Sequence, residues 1–300
     1  MGPRERDSYQ HRTIATPDIE IHVVEEGPAD GPLVLLLHGF PEFWYGWRKQ
    51  IGPLATAGFH VVAPDQRGYN LSGKPRRLRA YRVDRMAQDA ANLIRTYGHE
   101  SAFVVGHDWG AGVAWWVALA HPERVRGLVI LNGPHPLAMI RALRRRGRQR
   151  RMSWYMLFFQ LPWISEALWR RQSLRASAEG LARTARPGAF SEEDLQAYTE
   201  AWSRPGALTG MLNWYRALRF VPPPPASWVV QAPTLLLWGA QDAYLELSLA
   251  QASADLCRDS RVVIFDQATH WVQHEESEKV NQEIIRFFSG SPEPADHPKG

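Results

Sequence analysis

The sequence predicts an α/β fold in which a mostly parallel sheet, flanked by helices, is interrupted by an all-helical insertion. Three observations carry this reading. Short uninterrupted apolar runs alternate with helix-period stretches, as expected for parallel strands buried on both faces. The alternation stops between about Pro134 and Pro222 and then resumes. The chain has 300 residues, 45% hydrophobic and 22% charged. That suffices for one large domain with an insertion and lies outside the range of disordered or fibrous chains.

Taken in order, Leu33–Leu37 (LVLLL) is a buried-strand run followed by the turn His38-Gly39-Phe40-Pro41. His60–Pro64 (HVVAP) is a second, ending at Asp65, and a helical pattern fills 81–97. The run at 103–106 (FVVG) leads straight into Asp108, and a helix follows over 111–120. The run at 127–131 (GLVIL) ends at Asn132. From 135 to 221 there is no convincing strand, only helical patterns rich in Trp, Phe, Met and Arg, closed by the stiff connector Pro222-Pro223-Pro224-Pro225. Strand runs return at 234–238 (TLLLW) and 261–265 (RVVIF). Residues 1–134 and 222–300 therefore read as one discontinuous core, 135–221 as a helical cap, and 289–300, polar and Pro-rich, as a frayed tail.

Composition excludes several function classes. One cysteine leaves no disulfide framework and no Cys-based metal site, and suits a reducing compartment. Residues 1–13 are polar and charged with no apolar core of a signal peptide, and no long apolar run could span a membrane. A cytoplasmic location is expected. The net charge of +4 comes from seven arginines crowded into residues 141–151. Without fingers, heptads or RNA-stacking motifs beside it, this run reads as a solvated surface, so neither nucleic acid nor membrane is expected as a partner.

The strongest chemical signal is Val105-Gly106-His107-Asp108-Trp109-Gly110-Ala111-Gly112. An apolar strand meets a sharp turn flanked by small residues and then a helix, which is the geometry of a nucleophile elbow with Asp108 at its apex. Further acids and bases follow in the order expected for such a fold. Asp242 stands just beyond the strand ending in Trp238-Gly239, and His270 just beyond the strand ending in Phe265. Asn132 occupies the alternative acid position, so Asp242 is the expected charge partner of His270. A metal-ligand reading of His270 with His274 lacks a third ligand. The turn at His38-Gly39-Phe40 is positioned to supply the Phe40 N–H to an oxyanion hole completed by the N–H of Trp109.

Together these residues resemble the α/β-hydrolase superfamily over about 12–288, and in detail its epoxide hydrolases. Three segments carry the resemblance: His38-Gly39-Phe40-Pro41-Glu42 with Trp44 and Trp47-Arg48, the elbow around Asp108, and two cap tyrosines, Tyr155 in WYMLFFQLP and Tyr215 in MLNWYR. The resemblance implies conversion of an apolar epoxide to a vicinal diol. A carboxylate is already ionised at neutral pH and can attack saturated carbon without a base. Asp108 would form an alkyl ester while Tyr155 and Tyr215, phenols that stay protonated at neutral pH, protonate the leaving oxygen. His270, oriented by Asp242, would then activate water against the ester. The pocket is expected to be apolar and to include His38, Pro41, Trp109, Phe159 and Trp271. No metal or organic cofactor is implied, and the chain is expected to be a monomer or homodimer.

Two other readings compete. Haloalkane dehalogenases resemble the chain in their Asp nucleophile and following Trp, but Phe40 stands where a halide-binding side chain is expected. Fluoroacetate dehalogenases place Arg where Trp109 stands, and the elbow lacks the Ser of an esterase. A catalytically silent small-molecule binder, from a different class, would have no need of Asp108 as nucleophile.

Overall fold

The computed structural model describes residues 9–145, 147–171 and 173–290. Among these the strands are β1 (Gln10–Ala15), β2 (Glu20–Glu26), β3 (Leu33–Leu37), β4 (His60–Pro64), β5 (Ala102–His107), β6 (Val125–Leu131), β7 (Thr234–Gly239) and β8 (Ser260–Phe265). They form one sheet in the order β1-β2-β4-β3-β5-β6-β7-β8. The first two pairings, β1 with β2 and β2 with β4, are antiparallel, and the remaining pairs are parallel. Every residue of β3, β4, β5 and β7 is buried, which is why these strands read as uninterrupted apolar runs.

Helices α1 (Arg48–Thr56), α2 (Val83–Thr96) and α3 (Trp109–Ala120) lie between the first parallel strands. Helix α3 begins two residues before the expected 111 and buries most of its length, with Val113, Ala114 and Trp115 inaccessible. Between β6 and β7 the described residues form helices, with a single β-bridge from Val230 to Cys257 after them: α4 (Pro136–Arg144), α5 (Arg148–Met152), α6 (Trp154–Phe158), α7 (Ile164–Arg171), α8 (Leu174–Ala182), α9 (Glu192–Ser203) and α10 (Ala207–Arg216). The first of them packs on the sheet domain: Ala138 shares a buried cluster with Trp238, Leu245, Leu249 and Ala250. The last is buried but for Thr209, and its Gly210 meets the backbone of Gly68, leaving 2.3 Å between the Gly68 carbonyl and the place of a Cβ. Helices α11 (Ser248–Ala254), α12 (Val272–Glu275) and α13 (Ser277–Ser289) complete the chain.

The frayed tail expected over 289–300 is not seen at its first two residues. Ser289 is the last residue of α13, Gly290 caps it in the left-handed conformation, and residues 291–300 lie outside the described residues. Among the described residues no helix is long and apolar enough to cross a membrane.

Candidate active site

The candidate side chains of the sheet domain sit just past the carboxyl ends of β3, β5, β6, β7 and β8, where an open parallel sheet leaves room for a ligand, and Tyr155 and Tyr215 come from α6 and α10 of the insertion. Asp108 follows β5 with φ 51° and ψ −119°, a strained conformation for a residue with a Cβ. The strain is imposed by close packing around the turn. A Cβ on Gly110 would lie 2.0 Å from the Leu37 carbonyl, and one on Gly106 would lie 2.5 Å from the Gly110 carbonyl. Only glycine lets strand and helix approach this far, and the approach lifts the Asp108 carboxylate above the sheet edge.

That carboxylate is held asymmetrically. The Phe40 N–H donates to Oδ1 at 2.8 Å, and Oδ2 lies 3.4 Å from His270 Nε2. His270 Nδ1 contacts Asp242 Oδ2 at 2.7 Å. Asp242 in turn accepts from the side-chain amide of Asn132 at 2.7 Å and from the backbone N–H groups of Tyr244 at 2.7 Å and Leu245 at 3.0 Å. Burial works against an imidazolium at His270, but Asp242 and Asp108 outweigh it and raise its pKa well above the ordinary histidine value. Burial likewise opposes charge on Asp242, and His270 with the Tyr244 N–H and the Asn132 amide brings its pKa down. The charged form is therefore favoured on both sides of this contact.

Above the carboxylate is a cavity of about 570 Å³, lined by Asp108, His270, Tyr155 and Tyr215 with an apolar wall that includes Phe40 and Trp169. The Tyr155 and Tyr215 rings stand edge-on to one another, with centroids 6.0 Å apart. Burial, followed by neighbouring negative charge, raises the pKa of Tyr155; burial, Tyr155 and Asp108 do the same for Tyr215. Both phenols keep their protons. Of the expected pocket residues, Pro41, Phe159 and Trp271 line the cavity.

Two do not. His38 is buried beneath the turn, where Nδ1 meets the Gly39 carbonyl at 3.0 Å and Nε2 accepts from the Gln66 N–H at 3.0 Å. It ties the loops after β3 and β4 together. The Trp109 ring is turned away from the cavity and stands edge-on to Tyr215 and Trp214, with centroids 5.0 and 5.8 Å away. It backs the tyrosine rather than the ligand space.

Several residues of the site have roles that no sequence pattern announces. Tyr244 fills the cavity wall between His270 and Tyr155, with ring centroids 5.2 and 5.8 Å away. Asn132, which the sequence marks only as a missing acid, orients Asp242. Glu42, 1% exposed, gathers four partners: Tyr198 Oη at 2.7 Å and His274 Nε2 at 2.8 Å on Oε1, and His107 Nδ1 and Gln273 Nε2, each at 3.1 Å, on Oε2. His107 Nε2 then reaches the His270 carbonyl at 2.9 Å. His274 has both ring nitrogens engaged, by Arg48 and by Glu42, and burial lowers its pKa to about 4.

A family model described as "alpha/beta hydrolase fold" matches residues 32–161. The AB hydrolase superfamily protein YfhM of Bacillus subtilis is 42% identical over 94% of this chain and 99% of its own length. Epoxide hydrolase 2 of Caenorhabditis elegans is 36% identical over 94% of this chain and 81% of its own. The chain belongs to the epoxide hydrolase family of α/β hydrolases. Among solved epoxide hydrolases, a point mutant of the Bacillus megaterium enzyme, in complex with its product (R)-3-[1]naphthyloxy-propane-1,2-diol, superposes with a TM-score of 0.83. It is 32% identical and covers 93% of this chain and all of its own. The likeness to a solved epoxide hydrolase therefore extends over nearly the whole chain, helical insertion included.

Proposed function

We propose that the protein hydrolyses an apolar epoxide to a vicinal diol through a covalent ester on Asp108. The observation that carries the reading is one cavity walled by Asp108 and His270 on the sheet side and by Tyr155 and Tyr215 on the cap side. Oδ1 of Asp108, held by the Phe40 N–H, becomes the carbonyl oxygen of the ester, and Oδ2 attacks the ring carbon. The ring C–O bond breaks as Tyr155 or Tyr215 gives its proton to the departing oxygen.

His270 starts as an imidazolium between two carboxylates. Through solvent it returns a proton to the tyrosinate and becomes a neutral base. It then takes a proton from water attacking Cγ, with the developing charge on Oδ1 received by the N–H groups of Phe40 and Trp109. Such a donor contributes roughly 2.7–4 kcal/mol to the barrier. His270 next protonates the leaving alkoxide, and the regenerated acid at Asp108 recharges His270. Epoxide and water are consumed, diol is released, and every group returns to its starting state.

Single turnover of excess enzyme with a styrene-oxide-type epoxide in ¹⁸O-water tests this. Label in the Asp108 peptide with an unlabelled first diol is expected. Label in the diol alone would mean direct water attack, and no diol at all would favour halide release or silent binding.

A further inference from the structure

The cap carries a surface that ring opening does not use. Leu157 and Trp163 are 76% and 82% exposed, and Trp154, Leu161, Ile164 and Leu168 are exposed beside them in sequence on α6, α7 and the loop between. Trp163 is held at φ 63°, an uncommon conformation for a bulky residue, with its ring in solvent. From below, Arg216 fixes this segment by donating to the carbonyls of Phe159 and Leu161, so its apolar side chains point outward from an anchored backbone.

The charge of the surrounding stretch of sequence is nearly all of one sign. Residues 136–171 contain nine arginines and a single acid, Glu166. Glu166 is buried and paired with Arg216 at 2.6 Å, so no acid of this stretch is left to neutralise its arginines. Among the described residues Arg144, Arg145, Arg148, Arg150 and Arg151 are exposed and form no ion pair. Helix α5, which bears three of them, is pinned beside the cavity because Gln149 donates to the Tyr244 carbonyl and accepts from the Glu246 N–H. Arg151 and Trp154 line the cavity itself.

We propose, against the expectation from the sequence that no membrane is a partner, that this arginine-flanked apolar face docks on an anionic lipid bilayer and opens the cavity toward it. Exposed Trp and Leu insert at the headgroup boundary while arginines pair with lipid phosphates. A second copy of the chain would bring two arginine clusters together, and a nucleic acid would have no use for the leucine and tryptophan. Delivery of an apolar epoxide from the bilayer rests on the ring-opening reading; the docking does not.

The test is co-sedimentation of the whole protein with vesicles of phosphatidylcholine alone or mixed with phosphatidylglycerol. Binding is expected only with the anionic lipid, with quenching of tryptophan fluorescence by brominated chains. Arg148→Glu/Arg150→Glu and Leu157→Ser/Trp163→Ser should each weaken binding on the order of tenfold or more while leaving turnover of a water-soluble epoxide unchanged. No retention on anionic vesicles overturns the proposal. So does binding that ignores Leu157→Ser/Trp163→Ser and is matched by DNA, or a dimer in solution that this variant abolishes. Vesicle binding by a protein that opens no epoxide would sink the catalytic reading and leave the docking standing.

Discussion

Replacing Glu42 by glutamine should loosen the turn after β3, the nucleophile elbow, the His270 loop and the cap together. The carboxylate receives two contacts on each oxygen, at 2.7 and 2.8 Å on Oε1 and at 3.1 Å twice on Oε2. His274 accepts from Arg48 at Nδ1, so its Nε2 carries the proton that points at Glu42. At the Oε1 position the new amide nitrogen faces the Tyr198 and His274 donors, and at Oε2 it faces the Gln273 amide; only His107 Nδ1, whose ring donates from Nε2 to the His270 carbonyl, can accept from it. Hydrogen bonds to a charged group are worth roughly 1.5–3 kcal/mol each, and breaking a buried ionic network costs about 3–5 kcal/mol. The site is too buried for solvent to soften the loss.

For a chain of this size each kcal/mol lowers Tm by roughly 2 °C, so Glu42→Gln should melt about 6–10 °C below wild type. Measured well below that Tm, kcat should fall about tenfold, because His107 carries the disturbance to the His270 carbonyl. The pH dependence has a definite sign. His274 and His107 overcome the burial penalty and hold the Glu42 carboxyl well below its ordinary value of 4.5. Its contribution is therefore complete above about pH 4.5 and is lost as pH falls through the depressed value, so the gap between variant and wild type narrows in acid. A Tm drop under about 2 °C at neutral pH, with kcat unchanged, would refute the reasoning.

The other predictions concern the reaction. Tyr155→Phe and Tyr215→Phe should each slow ester formation, and the double variant should slow it by about 10²–10⁴, read by rapid quench; wild-type ester formation in the double variant would remove both phenols from the mechanism. The pKa seen in ester hydrolysis should lie below that of His270 in the resting enzyme, because the ester removes one of the two charges that raise it. Comparing single-turnover pH profiles with the imidazole titration by NMR tests this, and coincident values would mean that Asp108 does not govern His270.

How much of this is legible in the sequence depends on where each residue gets its partners. The strands β3, β4, β5 and β7 are buried on both faces, and their apolar runs mark them directly. The hairpin of β1 and β2 leaves no such mark: β1 buries only Ile14, and β2 mixes Glu and His with its valines. Its two strands are strands because of their neighbours. Asp108, Asp242 and His270 are readable because each follows a recognisable strand, so parallel topology alone brings them to one edge. Glu42 and Tyr244 also stand just past the ends of β3 and β7, but that position does not name their partners. Glu42 meets Tyr198, His274 and His107 across 156, 232 and 65 residues of sequence, and no local period encodes which loops fold onto one another. His38 shows the converse, since a post-strand position does not say whether a side chain turns toward the ligand or under the loop.

One negative charge coordinates the proposed cycle. The Asp108 carboxylate contributes to the raised pKa of His270, to that of Tyr155 and to that of Tyr215. In the resting enzyme it thus keeps the base protonated and the acids protonated, which prevents His270 from acting before an ester exists. As Oδ2 bonds to carbon the charge passes to the departing oxygen, and the repulsion that held both phenol protons in place is relieved at the moment one is needed. The same loss leaves His270 facing Asp242 alone, with less to hold its proton. Acid and base are therefore switched by the bond that requires them, and no movement of the cap is needed for the sequence of steps. Asn132 protects this arrangement: its amide on Asp242 Oδ2 favours an ionised Asp242, so the proton His270 gives up is not supplied by its own partner.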